Sequence, residues 1–121
     1  MRFLWKAISD NVISHSVFNY FSDLDYAEKV IEKMIVKSKK SIGIFDINDE
    51  TKEDEYHSFR MKYMDKEEYK RKYQNLKHLF YKKEWFLNLS KRFKCKAEIW
   101  DQNFVAYSNS KLRFNVVFKK L

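Results

Sequence analysis

Ser41-Ile42-Gly43-Ile44-Phe45-Asp46-Ile47 is the most hydrophobic stretch of the chain, and its reading decides the fold. The run does not alternate, which is the pattern of a strand covered on both faces by helices. It ends on Asp46, Asn48 and Asp49, so polar groups stand where the strand leaves the core. Upstream, Tyr26, Ala27, Val30, Ile31, Met34 and Ile35 recur with helical spacing, with Glu28, Lys29, Glu32 and Lys33 on the other side. This predicts a helix over 25–39 with Asp23 or Asp25 as its cap. Further back, the short apolar run Asn11-Val12-Ile13-Ser14-His15 suits a buried strand that opens into a loop.

Downstream of the central strand, 53–73 is charged and aromatic and reads as one or two helices laid over something, like a lid. Trp85, Phe86, Leu89 and Phe93 mark a second amphipathic helix. The period then changes: 96–100 and 112–119 alternate as strands, joined by a polar hairpin loop. The order is β-α-β-(α)-α-β-β. It predicts an α/β fold with an open, mostly parallel sheet closed by one antiparallel member. With 121 residues and no linker, repeat or low-complexity tract, the chain is read as one domain.

Composition narrows the function classes. A net charge of +8, with Lys and Arg dense from Arg60 to Lys96, favours anionic partners or a solvated helical face. The single Cys95 cannot form an internal disulfide, and the opening residues read poorly as a signal peptide, so a cytoplasmic location is expected. No apolar run is long enough to span a membrane. His57 and His78 lack spaced Cys or His partners, so no metal site is expected.

Three pieces together resemble a known family. They are Val12-Ile13-Ser14-His15-Ser16-Val17-Phe18-Asn19-Tyr20-Phe21, the strand end Ile44-Phe45-Asp46-Ile47-Asn48-Asp49, and the closing Tyr107-Ser108-Asn109-Ser110-Lys111-Leu112-Arg113-Phe114-Asn115-Val116. In this order they resemble the C-terminal half of the class I, Rossmann-like S-adenosylmethionine-dependent methyltransferases. The resemblance runs from about residue 9 to 121. It implies the family's fourth strand, a helix, the fifth strand, a lid-like excursion, a further helix and a terminal antiparallel hairpin.

The departure from the family lies in the cofactor's main cradle. There a Gly-rich turn after the first strand lets the backbone approach the methionine end, as in related doubly wound sheets. Here the one glycine, Gly43, sits in mid-strand, and about ten residues precede the candidate fourth strand. The resemblance therefore implies a half-domain that is not competent alone. Its exposed strand edge should pair with a second copy or a complementing chain.

The resemblance also implies site residues. Ser14 and Ser16 would border S-adenosylmethionine, and His15 would be the general base that deprotonates a hydroxyl or amine acceptor. Asp46 would orient the acceptor, a small metabolite or sugar-like molecule. Phe18, Tyr20 and Phe21 would wall its pocket, although aromatics beside a strand end also fit a core. Asn109, Lys111 and Arg113 would grip a substrate phosphate or carboxylate, although a solvated strand face fits them too. Asn48 and Asp49 equally suit capping of the next helix.

Two alternatives come from other classes. One is a non-catalytic methyltransferase-like subunit. The other is an RNA- or polyanion-binding module, because Tyr63, Lys66, Tyr69, Lys70, Arg71, Lys72, Tyr73 and Lys77 interleave cations with rings. No known nucleic-acid motif accompanies that run.

Overall fold

The computed structural model describes residues 8–62, 65–75, 78–107 and 109–121, with only the backbone for 72–75. Helix α1 (Leu24–Lys37) begins where the apolar stripe begins, and Asp23 caps it by accepting from the Tyr26 N–H at 2.8 Å. Ala27, Val30, Ile31 and Met34 are buried, while Lys29, Glu32 and Lys33 are exposed. The helix ends before the expected 39, because Ser38 already enters the next strand and turns its hydroxyl back to the Ile35 carbonyl.

Strands β1 (Ser9–His15) and β2 (Ser38–Asn48) flank α1 and pair in parallel, with Val12 beside Ile42 and His15 beside Phe45. After β2 come α2 (Glu53–Met61), α3 (Lys66–Asn75), α4 (Lys83–Arg92), β3 (Cys95–Asp101) and β4 (Arg113–Lys120). The elements thus follow in the predicted order.

The sheet has the expected single antiparallel member, β4, but its ladders are not mostly parallel. Its order is β1-β2-β4-β3, and β4 runs antiparallel to both neighbours, so the sheet is mostly antiparallel with one parallel pair. The reason is where the last strand goes. It lies between β2 and β3, so it makes two antiparallel ladders rather than one.

Helix cover also differs. Ile42 and Ile44 of β2, Phe114, Val116 and Phe118 of β4, and the buried stripes of α1 and α4 form one cluster. By the pairing register these strand residues share one sheet face, so both helices pack on that face. On the other face Ile13 and Trp100 remain 66% and 43% exposed. There the Phe45 ring lies over Gly43 and takes the space a Cβ would need (2.7 Å). The unbroken apolar run thus reflects one helix-covered face plus an aromatic side chain folded over its own strand.

The charged stretch expected to act as a lid forms α2 and α3, and a second, smaller core of Tyr56, Phe80 and Leu112 supports it. His78 sits beside it, paired through Nδ1 with the Tyr56 hydroxyl at 2.9 Å. Burial, and then the Arg60 and Arg113 cations, hold the His78 proton affinity below the ordinary imidazole value. The unfolded chain therefore takes up a proton that the folded chain resists. This part of the stability is present above the unfolded value of about 6.5 and is lost as pH falls below it. Urea midpoints measured at neutral and mildly acidic pH should fall for the native chain and fall less for His78→Gln. Equal losses in both would mean that His78 is not the responsible group.

Among the described residues no helix is long and apolar enough to cross a membrane.

Candidate functional site

The C-terminal ends of the parallel strands β1 and β2 lie side by side, and both chains kink there. Ser16, just after β1, has φ 61° and Asp46, near the end of β2, has φ 63°. Both are left-handed conformations that L residues other than Asn and Asp avoid. At Asp46 the kink belongs to a bulge: pairing with β4 jumps from Ile44–Val116 to Ile47–Phe114. The extra residue lets Ile44 and Ile47 both face the helices and leaves Asp46 at the strand end.

Asp46 is the hub. It is 2% exposed, and its Oδ2 accepts from the Ser16 hydroxyl at 2.5 Å. The Tyr107 hydroxyl approaches the same oxygen at 3.4 Å and the Arg113 guanidinium at 3.5 Å. Its backbone is pinned as well. Asn115 Oδ1 accepts from Asp46 N at 2.9 Å, and Asn19 Nδ2 donates to Asp46 O at 2.8 Å. Gln102 Nε2 reaches Asn115 Oδ1 at 3.2 Å, and Asn19 also receives the Asn48 N–H. The Arg113 cation and the two hydroxyls compensate the buried carboxylate through Oδ2 alone, while Oδ1 is buried with no partner among the described residues.

His15 and Ser16 form the ridge between two open clefts. One, of ≈500 Å³, is walled by Val17, Tyr20, Phe21 and Tyr26. The other, of ≈490 Å³, is walled by Phe45, Asp46, Gln102, Phe104, Tyr107 and Asn115. Volumes of this order hold drug-sized ligands. The His15 ring meets Ser16 Oγ through Nδ1 at 2.9 Å.

The comparisons with protein families, with curated proteins and with solved structures each returned no match.

The residues predicted from the sequence are brought together unevenly. His15, Ser16, Asp46 and Tyr20 all stand on the clefts. Ser14 pairs with Ile44 on the helix-covered side, where its hydroxyl is buried with no partner among the described residues. Phe18 is 2% exposed and belongs to the core, its carbonyl receiving the Tyr81 hydroxyl at 2.8 Å. Phe21 belongs to the core too, but also lines a cleft. Arg113 is not a solvated strand residue but is buried against Asp46. Asn109 lies ahead of the short turn 110–112, with its side-chain oxygen buried. Asp49 caps the turn after β2 through Thr51 N, and Lys111 lies over the Phe59 ring.

Four contributors were missed by sequence reasoning: Asn19, Gln102, Tyr107 and Asn115. Alternation along the last strand places Asn115 opposite Phe114 and so off the main core, a signal that was available. For the loop residues no local signal exists.

The basic, aromatic run is less open than it looks in sequence. Tyr69 is 7% exposed and pairs with His57, so its ring is not presented for stacking. Tyr63 and Lys77 lie outside the described residues, as do the side chains of Lys72 and Tyr73. Among the described residues no three His, Cys, Asp or Glu side chains converge as a metal site.

Proposed function

We propose that this chain is the acceptor-side half of an S-adenosylmethionine-dependent methyltransferase, acting on a small hydroxyl- or amine-bearing molecule. The observation that carries the reading is His15, Ser16 and Asp46 standing together at the carboxyl ends of two adjacent parallel strands, where open α/β sheets bind ligands. The cofactor supplies an electrophilic methyl group. The cleft beside Tyr20, Phe21 and Tyr26 suits the flat and apolar parts of such a molecule, and the one beside Asp46 and Tyr107 suits an acceptor carrying N–H or O–H donors.

Transfer is an in-line displacement, so the protein acts mainly by aligning the reactants and shaping the field around them. In that role His15 takes the acceptor proton, while the kinked strand ends hold the two clefts on either side of it. These 121 residues hold no Gly-rich turn of the kind that cradles the cofactor in that family. A second polypeptide segment, or a second copy, would join at β1, which forms one edge of the sheet, and against the face that carries Ile13, Phe45 and Trp100. Without it, binding should be weak and turnover absent. The test is whether S-adenosylmethionine, titrated into the chain, perturbs the backbone amides around His15 and Asp46.

A further inference from the structure

We propose that Ser16 and Asp46 form a hydrogen-bond relay that places the imidazole hydrogen of His15 on Nδ1 and so makes Nε2 the basic nitrogen. The argument is a count of protons. A serine hydroxyl has one hydrogen and two lone pairs, and a carboxylate can only accept. The Ser16 hydroxyl, 2.5 Å from Asp46 Oδ2, spends its hydrogen there. What it offers His15 Nδ1, at 2.9 Å, is then a lone pair, so Nδ1 is the donor of that bond. In a neutral ring with hydrogen on Nδ1, Nε2 carries the lone pair.

The rest of the fold holds this geometry in place. Ser16 N donates to the Phe45 carbonyl at 3.0 Å, which ties the two strand ends together. Both hydroxyl and carboxylate sit on left-handed backbone, a conformation that persists in non-glycine residues when the surroundings over-determine it. Arg113 and Tyr107 reach the same Oδ2 that accepts from Ser16, and so hold that oxygen in place. Residues held on such backbone cluster at active sites and ligand clamps.

For its substrate this inference rests on the methyltransferase reading. There His15 Nε2 takes the acceptor's proton as the acceptor atom bonds to the methyl carbon. The electron pair of the broken S–C bond stays on sulfur, and the positive charge passes from sulfonium to imidazolium. Ser16 and Asp46 act as positioning residues: they orient the ring and place a negative charge behind the imidazolium as it forms.

Nitrogen-15 spectra of the histidine side chains, recorded on the full chain at about pH 8 where imidazole is neutral, test the relay. His15 should show an N–H type signal at Nδ1 and a lone-pair type signal at Nε2. Ser16→Gly keeps the left-handed backbone at no steric cost and removes the short CH2OH side chain, and with it the hydroxyl. The fold should persist, and the Nδ1 preference should disappear. Hydrogen on Nε2 in the native chain, or an unchanged preference in Ser16→Gly, would overturn the relay. The methyltransferase reading fails separately: an intact Nδ1 tautomer with no response to S-adenosylmethionine would sink that reading and leave the relay standing.

Discussion

Asp46→Ala should cost about 3–5 kcal/mol of folding stability, the usual result of removing one partner of a buried ion pair. The Asp46 and Arg113 side chains are 3% and 7% exposed, so the orphaned guanidinium could not recover its hydration. Alanine would also have to adopt the left-handed backbone at φ 63°, which costs an ordinary L residue roughly 1–2 kcal/mol and an aspartate less. Small domains have about 5–15 kcal/mol in all, so the loss would leave a substantial unfolded fraction. Urea unfolding reads it as a lower midpoint at unchanged slope. The companion Asp46→Ala/Arg113→Leu should recover part of the loss, since the buried charge goes with its partner. A single-variant loss under about 1 kcal/mol would mean that the pair is hydrated and is not the hub described here.

Phe86→Ala should be of similar size, about 3–5 kcal/mol, for a different reason. Phe86 is fully buried, and its ring meets those of Tyr81, Trp85, Phe114 and Phe118, so it joins α4 to the middle of the sheet. Truncation leaves a cavity that several large rings cannot collapse to fill. Trp100 is the contrast. It is the larger side chain, but it stands 43% exposed on the opposite face, against Phe45. Trp100→Ala should cost much less than Phe86→Ala. The reverse order would contradict a core built on one side of the sheet.

The elements whose signal is local were legible in the sequence. The stripe from Tyr26 to Ile35 defined α1, its Asp23 cap was among the two candidates, and the alternating stretches near the end became β3 and β4. What depended on distant pairing was not legible. Nothing near Arg113 tells that β4 inserts beside β2, or that its guanidinium meets the carboxylate and the backbone carbonyl of a residue 67 positions earlier. In an alternating strand Arg113 has Lys111 and Asn115 as same-face neighbours, both polar, so the sequence fits a substrate grip or a solvated face and gives no sign of burial. Similarly, the apolar run through Gly43 reads as doubly covered, because a sequence does not show that Phe45 folds back over the glycine. His15, Ser16 and Asp46 were singled out from their place at strand ends. The left-handed backbone that brings the last two into contact carries no signature in residue type, since serine and aspartate are ordinary loop residues.

Residue-resolved titration of the chain with S-adenosylmethionine, followed by backbone amide spectra, tests the central claim most directly. The account predicts weak, saturable shifts concentrated on 14–17 and 45–46 and on the cleft wall at Tyr20 and Tyr26, with S-adenosylhomocysteine competing for the same shifts. No shifts at high ligand concentration, or shifts gathered on α3 instead, would contradict it.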